Sequence, residues 1–256
     1  MKKWGSIGNR LLPTSFLVLL IILWEAAINL MQVPDYKLPA PSSILTALIN
    51  NFPLLLQHSK TTLYEAAIGL VVAIIIALFL AIVVDSFNFL KRIIYPLLVI
   101  SQSVPIIALA PIILILFGLG ILPKILIVAL VCFFPLALNL IEGLENVNRE
   151  QIDLLKIMKA DSWTIFKMVQ LPSVLPYFFA GLKISATYSV MGAIIGEWLG
   201  ASSGLGIYMT RAMHSFKYAN LFSAIIIVVL LSISFFKLTE FLAWLTMPWK
   251  RKFENQ

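Results

Sequence analysis

Six long runs of apolar residues alternate with short polar stretches along the chain. They fall at about 11–31, 66–84, 93–117, 122–141, 176–198 and 221–245. A helix needs about 20 mostly apolar residues to cross the hydrocarbon core of a bilayer, and each run is of that order. The apolar positions are continuous rather than alternating, which argues against a transmembrane barrel. The pattern predicts an all-α polytopic membrane protein with six transmembrane helices, forming a single membrane domain over 1–256. The first run follows Lys2, Lys3 and Arg10, as a signal peptide would. It is too long for the apolar part of one and has no small-x-small cleavage site, so it is expected to remain as a helix.

Composition agrees with the pattern. The hydrophobic share is 61% and the charged share 12%, against roughly 45–50% and 25% for a soluble domain. With Gly 12, Pro 13 and Cys 1, disorder, collagen and a disulfide scaffold are also excluded. Cys132 alone can close no intrachain disulfide. The net charge is +7, and its distribution matters more than its size. Six spans put both termini on one side, together with Lys2, Lys3, Arg10, Lys91, Arg92, Arg149, Lys156, Lys159, Lys167, Lys183, Lys250, Arg251 and Lys252. The other side keeps Lys37, Lys60, Lys124, Arg211 and Lys217. The richer side faces the cytoplasm by the positive-inside rule, so both termini are expected there. This asymmetry explains the basic charge without nucleic acid, for which the chain has no module.

Small residues recur at helical spacing. Gly69, Ala73, Ala77 and Ala81 form one ridge, and Gly181, Ser185, Ser189 and Ala193 another, as close helix packing in lipid requires. The third run carries Pro105 and Pro111, each of which removes a backbone donor and kinks or breaks a helix. Ser101, Gln102 and Ser103 stand just before them. Irregular backbone at membrane depth is tolerated only inside protein or along a cavity. Two readings stand: a kinked packing helix, or one wall of a solute path. Glu197, at the end of the fifth run, is either a residue meeting interfacial water or part of an outer gate, and Glu25 has the same two readings.

The long polar segment, 142–175, contains Glu142, Glu145, Arg149, Glu150, Asp153, Lys156, Lys159, Asp161 and Lys167. Arg149 with Asp153 and Asp153 with Lys156 have the spacing of helical ion pairs. A second short helix is expected over 163–169, stopped by Leu171-Pro172. Such a helical pair lies on the membrane or inserts into a groove on a partner.

No catalytic, cofactor-binding or metal-binding set is found. G-x-x-x-x-G-K-[ST] is absent, so the chain lacks that means of cradling a nucleotide. His58 and His214, both expected in outer loops, lack metal-ligand spacing. Gly200-Ala201-Ser202-Ser203-Gly204 fits G-x-S-x-G, but a nucleophile elbow needs a strand-to-helix turn. A membrane-embedded hydrolase is therefore disfavoured. An ion-coupled secondary transporter would need an ionisable residue in mid-span, and the second and third runs have none.

The polar segment resembles the cytoplasmic loop of ABC-importer permeases, the binding-protein-dependent transport inner-membrane family. That family's pattern is Glu-Ala-Ala-x3-Gly-x9-Ile-x-Leu-Pro. Anchoring on Leu171-Pro172 places Asp153, Leu154 and Leu155 on Glu-Ala-Ala, Lys159 on Gly and Val169 on Ile. Lys159 departs from a glycine that would permit a left-handed turn. The literal Glu-Ala-Ala strings at Glu25 and Glu65 lack the downstream spacing. Leu38-Pro39-Ala40-Pro41-Ser42, the stretch Ser103 to Pro111, Phe117-Gly118-Leu119-Gly120, Gly196-Glu197-Trp198-Leu199-Gly200 and Ser202-Ser203-Gly204-Leu205-Gly206 are similar to the nitrate/sulfonate/taurine-type permeases. That group often has Arg where this chain has Gln102. Asp153-Leu154-Leu155-Lys156 and the ending Met247-Pro248-Trp249-Lys250 lean toward its branch for pyrimidine precursors of thiamine.

The resemblance implies a permease subunit of an importer, without an ATPase of its own. Two copies would form the path for a small polar or anionic solute: a sulfonate, nitrate, taurine or a pyrimidine thiamine precursor. An external binding protein or lipoprotein would deliver the solute, and cytoplasmic ATPase subunits would bind the ATP. The docking set it implies is Asp153, Leu154, Leu155, Lys156, Lys159, Ala160, Asp161, Ser162, Trp163, Ile165 and Phe166. Residues 159–166 would form the coupling helix, with Trp163, Ile165 and Phe166 as apolar anchors. Path candidates are Ser101, Gln102, Ser103, Pro105, Pro111, Ser189 and Glu197.

Overall fold

A computed structural model describes residues 4–249. Lys2, Lys3, Lys250, Arg251 and Lys252, which carry part of the charge asymmetry, lie outside the described residues. Within them the chain is helical: α1 (Trp4–Leu30), α2 (Pro41–Asn50), α3 (Phe52–Ser86), α4 (Asn88–Gln102), α5 (Ile106–Phe117), α6 (Ile121–Glu145), α7 (Arg149–Ile157), α8 (Ser162–Ile165), α9 (Leu171–Trp198), α10 (Leu205–His214) and α11 (Tyr218–Thr246). No strand occurs among the described residues.

Four helical stretches are long and apolar enough to cross a membrane: Phe52–Ser86, Ile121–Glu145, Ser162–Trp198 and Tyr218–Thr246. A fifth span exists if α4 and α5 count as one, but they meet at 100°. The run expected at 11–31 falls in α1, whose apolar stretch Ser15–Leu30 is shorter than these four. Phe16 to Leu23 of that stretch is exposed at every position, as suits a surface solvated by lipid.

The chain gathers into two compact units. One holds the chain up to Ser59 with Tyr208–Ile227. Its ties include Trp24 edge-on to Phe222 at 6.0 Å and Asn51 Nδ2 donating to Asn220 Oδ1 at 3.3 Å. Glu25 accepts from the backbone N–H of Ser42 at 3.0 Å and from its hydroxyl at 2.8 Å. It thereby satisfies an otherwise orphan donor in the first turn of α2.

The other unit holds Lys60–Ile207 and the chain from Val228 onward. Its core is the seam between α6 and α9, and the predicted small ridge makes that seam. A Cβ on Gly181 would come within 3.0 Å of the Pro135 carbonyl, and one on Gly192 within 3.1 Å of Val128 Cα. Ser185 Oγ donates to the Cys132 carbonyl at 2.7 Å, and Cys132 Sγ donates back to the Ser185 carbonyl at 3.2 Å. The ridge of α3 packs likewise, with Gly69 against Val128 and Ala73, Ala77 and Ala81 buried.

Three expectations fail locally. Leu171-Pro172 does not stop a helix: α8 runs through a π-helical turn, Phe166–Gln170, straight into α9. The wider turn absorbs a proline that lacks its N–H. His58 lies inside α3 and is buried, and His214 ends α10, so neither sits in a loop. Among the described residues Asp153 pairs with Lys156 at 3.4 Å and not with Arg149.

Candidate functional site

Three places gather the residues singled out by sequence. The first is the helical hairpin that follows α6. Asn148 caps α7: its Oδ1 accepts from the backbone N–H of Glu150 at 2.9 Å and of Gln151 at 3.3 Å. Glu150 in the first turn and Lys156 in the last complement the helix dipole. The helix then ends on Lys159, whose φ is +59°. This is the left-handed turn a glycine would favour, so lysine keeps the bend despite its Cβ. Ala160 follows, and Asp161 and Ser162 open α8. The Thr164 hydroxyl donates to Asp161 Oδ1 at 2.5 Å, and that bond holds the Asp161 carboxyl below the usual aspartate range.

The apolar residues of the hairpin divide into two sets. Trp163 stacks on Phe166 at 5.6 Å and is 67% exposed. Leu154, Ile157 and Met158 are exposed as well. Ile165 is buried at 9%, so it anchors the hairpin to its own chain and is no outward contact. Leu155 is half-buried, and Asp153 and Lys156 face out. Ile157 and Met158, which lie outside the implied docking set, are exposed apolar residues beside the left-handed turn.

The second place is the break between α4 and α5. Pro105 starts the first turn of α5, and Ser103 closes α4. Beside the break a cavity of about 210 Å³ is lined by Ser101, Gln102, Ile106, Val131, Phe134, Pro135, Tyr188 and Met191. Ser101 and Gln102 therefore stand on a cavity wall, whereas Pro111 lies within α5. Ser189 is fully buried in the packing face of α9, donating to the Ala186 carbonyl at 2.8 Å.

The third place was not foreseen. Glu65, Lys124 and Glu197 come together from α3, α6 and α9, all nearly or wholly buried. Lys124 Nζ lies 2.9 Å from Glu65 Oε1. Thr62 Oγ1 donates to Glu197 Oε1 at 2.6 Å and accepts from the Leu205 N–H at 2.9 Å. The Gly206 N–H donates to Glu197 Oε2 at 2.5 Å. Gly204 has φ +123°, and a Cβ there would strike the Glu197 carboxyl at 2.2 Å. Glu197 is thus shielded from solvent, and it ties the loop after α9 to α3. The G-x-S-x-G string is part of this loop.

These features define an all-α, multi-pass membrane protein built round a broken span, with a capped helical hairpin between two of its long helices. Residues 69–246 match the family described as binding-protein-dependent transport system inner membrane component; the chain belongs to it and is a permease subunit of an ATP-binding-cassette importer. It is 37% identical over 241 residues to the formylaminopyrimidine transport permease protein ThiX of Halalkalibacterium halodurans, covering 94% of this chain and 96% of that one. It is 31% identical to the riboflavin transport system permease protein RibX of Chloroflexus aurantiacus, covering 97% and 92%. The putative aliphatic sulfonates permease SsuC of Bacillus subtilis is 27% identical, covering 99% and 91%. A crystal structure of an amino acid ABC transporter with histidines superposes with a TM-score of 0.60 at 15% identity, covering 79% of this chain and 97% of that one, a likeness of fold.

Proposed function

We propose that two copies of this chain form the path for a small, uncharged heteroaromatic solute of the aminopyrimidine kind, handed over by an external binding protein. Two cytoplasmic ATPase subunits each grip one α7–α8 hairpin, chiefly through the stacked Trp163 and Phe166 with Leu154, Ile157 and Met158 beside them. ATP binds to those partners, and their closure moves the hairpin and, through it, the spans. Exposed apolar side chains grouped on a short helical hairpin suit insertion into a groove, and aromatic anchors often dominate such contacts.

The observation that carries the choice of solute is the chemistry of the cavity beside the broken span. Phe134, Tyr188 and Met191 offer apolar and aromatic surface, and Ser101 and Gln102 supply the polar groups. No Lys, Arg or His is among its lining residues. A sulfonate or nitrate at membrane depth would need a cation there, because an unpaired buried charge is costly. A neutral ring with amino and ring-nitrogen groups needs only hydrogen bonds and stacking. The 37% identity to a formylaminopyrimidine permease supports the same choice.

The test is uptake by proteoliposomes holding the permease, its ATPase and its binding protein. ATP-dependent accumulation of formylaminopyrimidine, and none of taurine, nitrate or alkanesulfonates, is the expected result. Transport of the anions with the pyrimidine left outside would overturn the assignment of solute. Gln102→Arg should depress pyrimidine uptake while leaving assembly with the ATPase intact.

A further inference from the structure

A second cavity, of about 450 Å³, opens near the base of α4 and is lined by Lys91, Arg92, Tyr95, Pro96, Glu145 and Arg149. It lies at the end of the spans that the charge asymmetry assigns to the cytoplasm. Lys91 Nζ is held by Glu145 Oε1 at 2.5 Å. Arg92 and Arg149 form no ion pair among the described residues. Three cations against one carboxylate leave two positive charges on the cavity wall, and both are guanidinium groups. A guanidinium presents a planar fork of donors that matches phosphate oxygens.

The neighbouring surface narrows the choice of ligand. Phe89, Ile93, Leu97 and Ile100 of α4 are all exposed. Their spacing puts them on one helical face, so an apolar stripe runs from beside the basic cavity along the span. A ligand with a phosphate at one end and long acyl chains at the other would meet both surfaces together. A soluble phosphate would meet only the arginines.

We propose that this cavity binds the phosphate-bearing headgroup of an anionic phospholipid, with Arg92 and Arg149 holding the phosphate and the acyl chains lying along Phe89, Ile93, Leu97 and Ile100. Basic pockets at the cytoplasmic ends of transmembrane helices bind such headgroups. The site is distinct from the solute cavity and from the hairpin face assigned to the ATPase, and it does not depend on which solute is carried.

Native mass spectrometry of the full-length permease, equilibrated with phosphatidylglycerol or phosphatidylcholine of the same chain length, tests this. Phosphatidylglycerol should be retained preferentially. A basic residue at a membrane surface is worth about fivefold in affinity, so Arg92→Gln with Arg149→Gln should lower retention about twenty-fivefold. Arg92→Lys with Arg149→Lys should restore part of it, since the charge returns without the fork, which separates lost charge from a misfolded chain. Equal retention of both lipids, or an unchanged glutamine variant, would overturn the proposal. Glycerol 3-phosphate binding as tightly as the whole lipid would show a soluble phosphate site and overturn the lipid assignment. Loss of lipid when the ATPase docks would make this surface part of the subunit contact and also overturn it.

Discussion

The ammonium of Lys124 lies 2.9 Å from the carboxylate of Glu65, and the carboxylate is wholly shielded from solvent. Glu65 is in α3 and Lys124 in α6, so the contact pins two long helices at one level. Removing one partner of a buried pair commonly costs about 3–5 kcal/mol, because the other charge is stranded. Lys124→Met should therefore lower the unfolding temperature of the detergent-solubilised permease markedly. Lys124→Met combined with Glu65→Leu should recover most of the loss. A single variant that melts with the parent would show that the pair holds nothing together.

Lys159 keeps a left-handed backbone that costs a residue with a Cβ about 1–2 kcal/mol. Lys159→Gly should relieve it, leaving ATPase copurification unchanged and slowing hydrogen exchange in the hairpin. Lys159→Val should do the reverse, since a β-branched residue tolerates this conformation least. Faster exchange in the glycine variant would mean that the lysine side chain contributes more than its backbone costs.

Trp163 and Ile165 are two residues apart yet should fail differently. Trp163→Ala with Phe166→Ala removes an exposed stacked pair and should abolish copurification of the ATPase while thermal stability holds. Ile165→Ala empties a buried position and should lower stability by about 2–5 kcal/mol. If the aromatic double variant still assembles and supports uptake, the hairpin docks through other residues.

Asp161 gives the hairpin an acid limit. Its folded-state pKa lies below the unfolded value because the Thr164 hydroxyl hydrogen-bonds the ionised carboxylate. The contribution is present above the unfolded value of about 4 and is lost as pH falls through the folded one. Hydrogen exchange at the start of α8 should be insensitive to this group near neutrality and rise only in acid. Asp161→Asn should remove that acid step; a step that persists belongs to another carboxylate.

The long helices were legible because unbroken apolar runs have few alternatives in a bilayer, and Pro105 and Pro111 marked the third run for a kink or break, which falls before Pro105 and not at Pro111. The packing face of α9 was legible through Gly181 and Ser185, because small residues every fourth position leave little else to explain them, but that α6 fills it was not. The charge cluster was missed for an identifiable reason. Glu65, Lys124 and Glu197 each lie near the end of an apolar run, where a charge ordinarily meets water, so each was read alone. They converge because α3 and α6 enter at the level where α9 finishes, which brings the beginnings of two apolar runs and the end of a third together. The π-helical turn at Phe166–Gln170 was equally illegible, since Leu171-Pro172 signals a boundary and only the added residue per turn lets the helix pass through it.

The 100° junction of α4 and α5 makes two levers that meet at Ser103. The outer lever, α5, leans on α6. The inner lever starts at Lys91, which is tethered to Glu145 at the foot of the hairpin, and finishes at Gln102 on the cavity wall. One helix therefore joins the foot of the hairpin to the wall of the cavity, with the tether at its first turn and the Gln102 amide at its last.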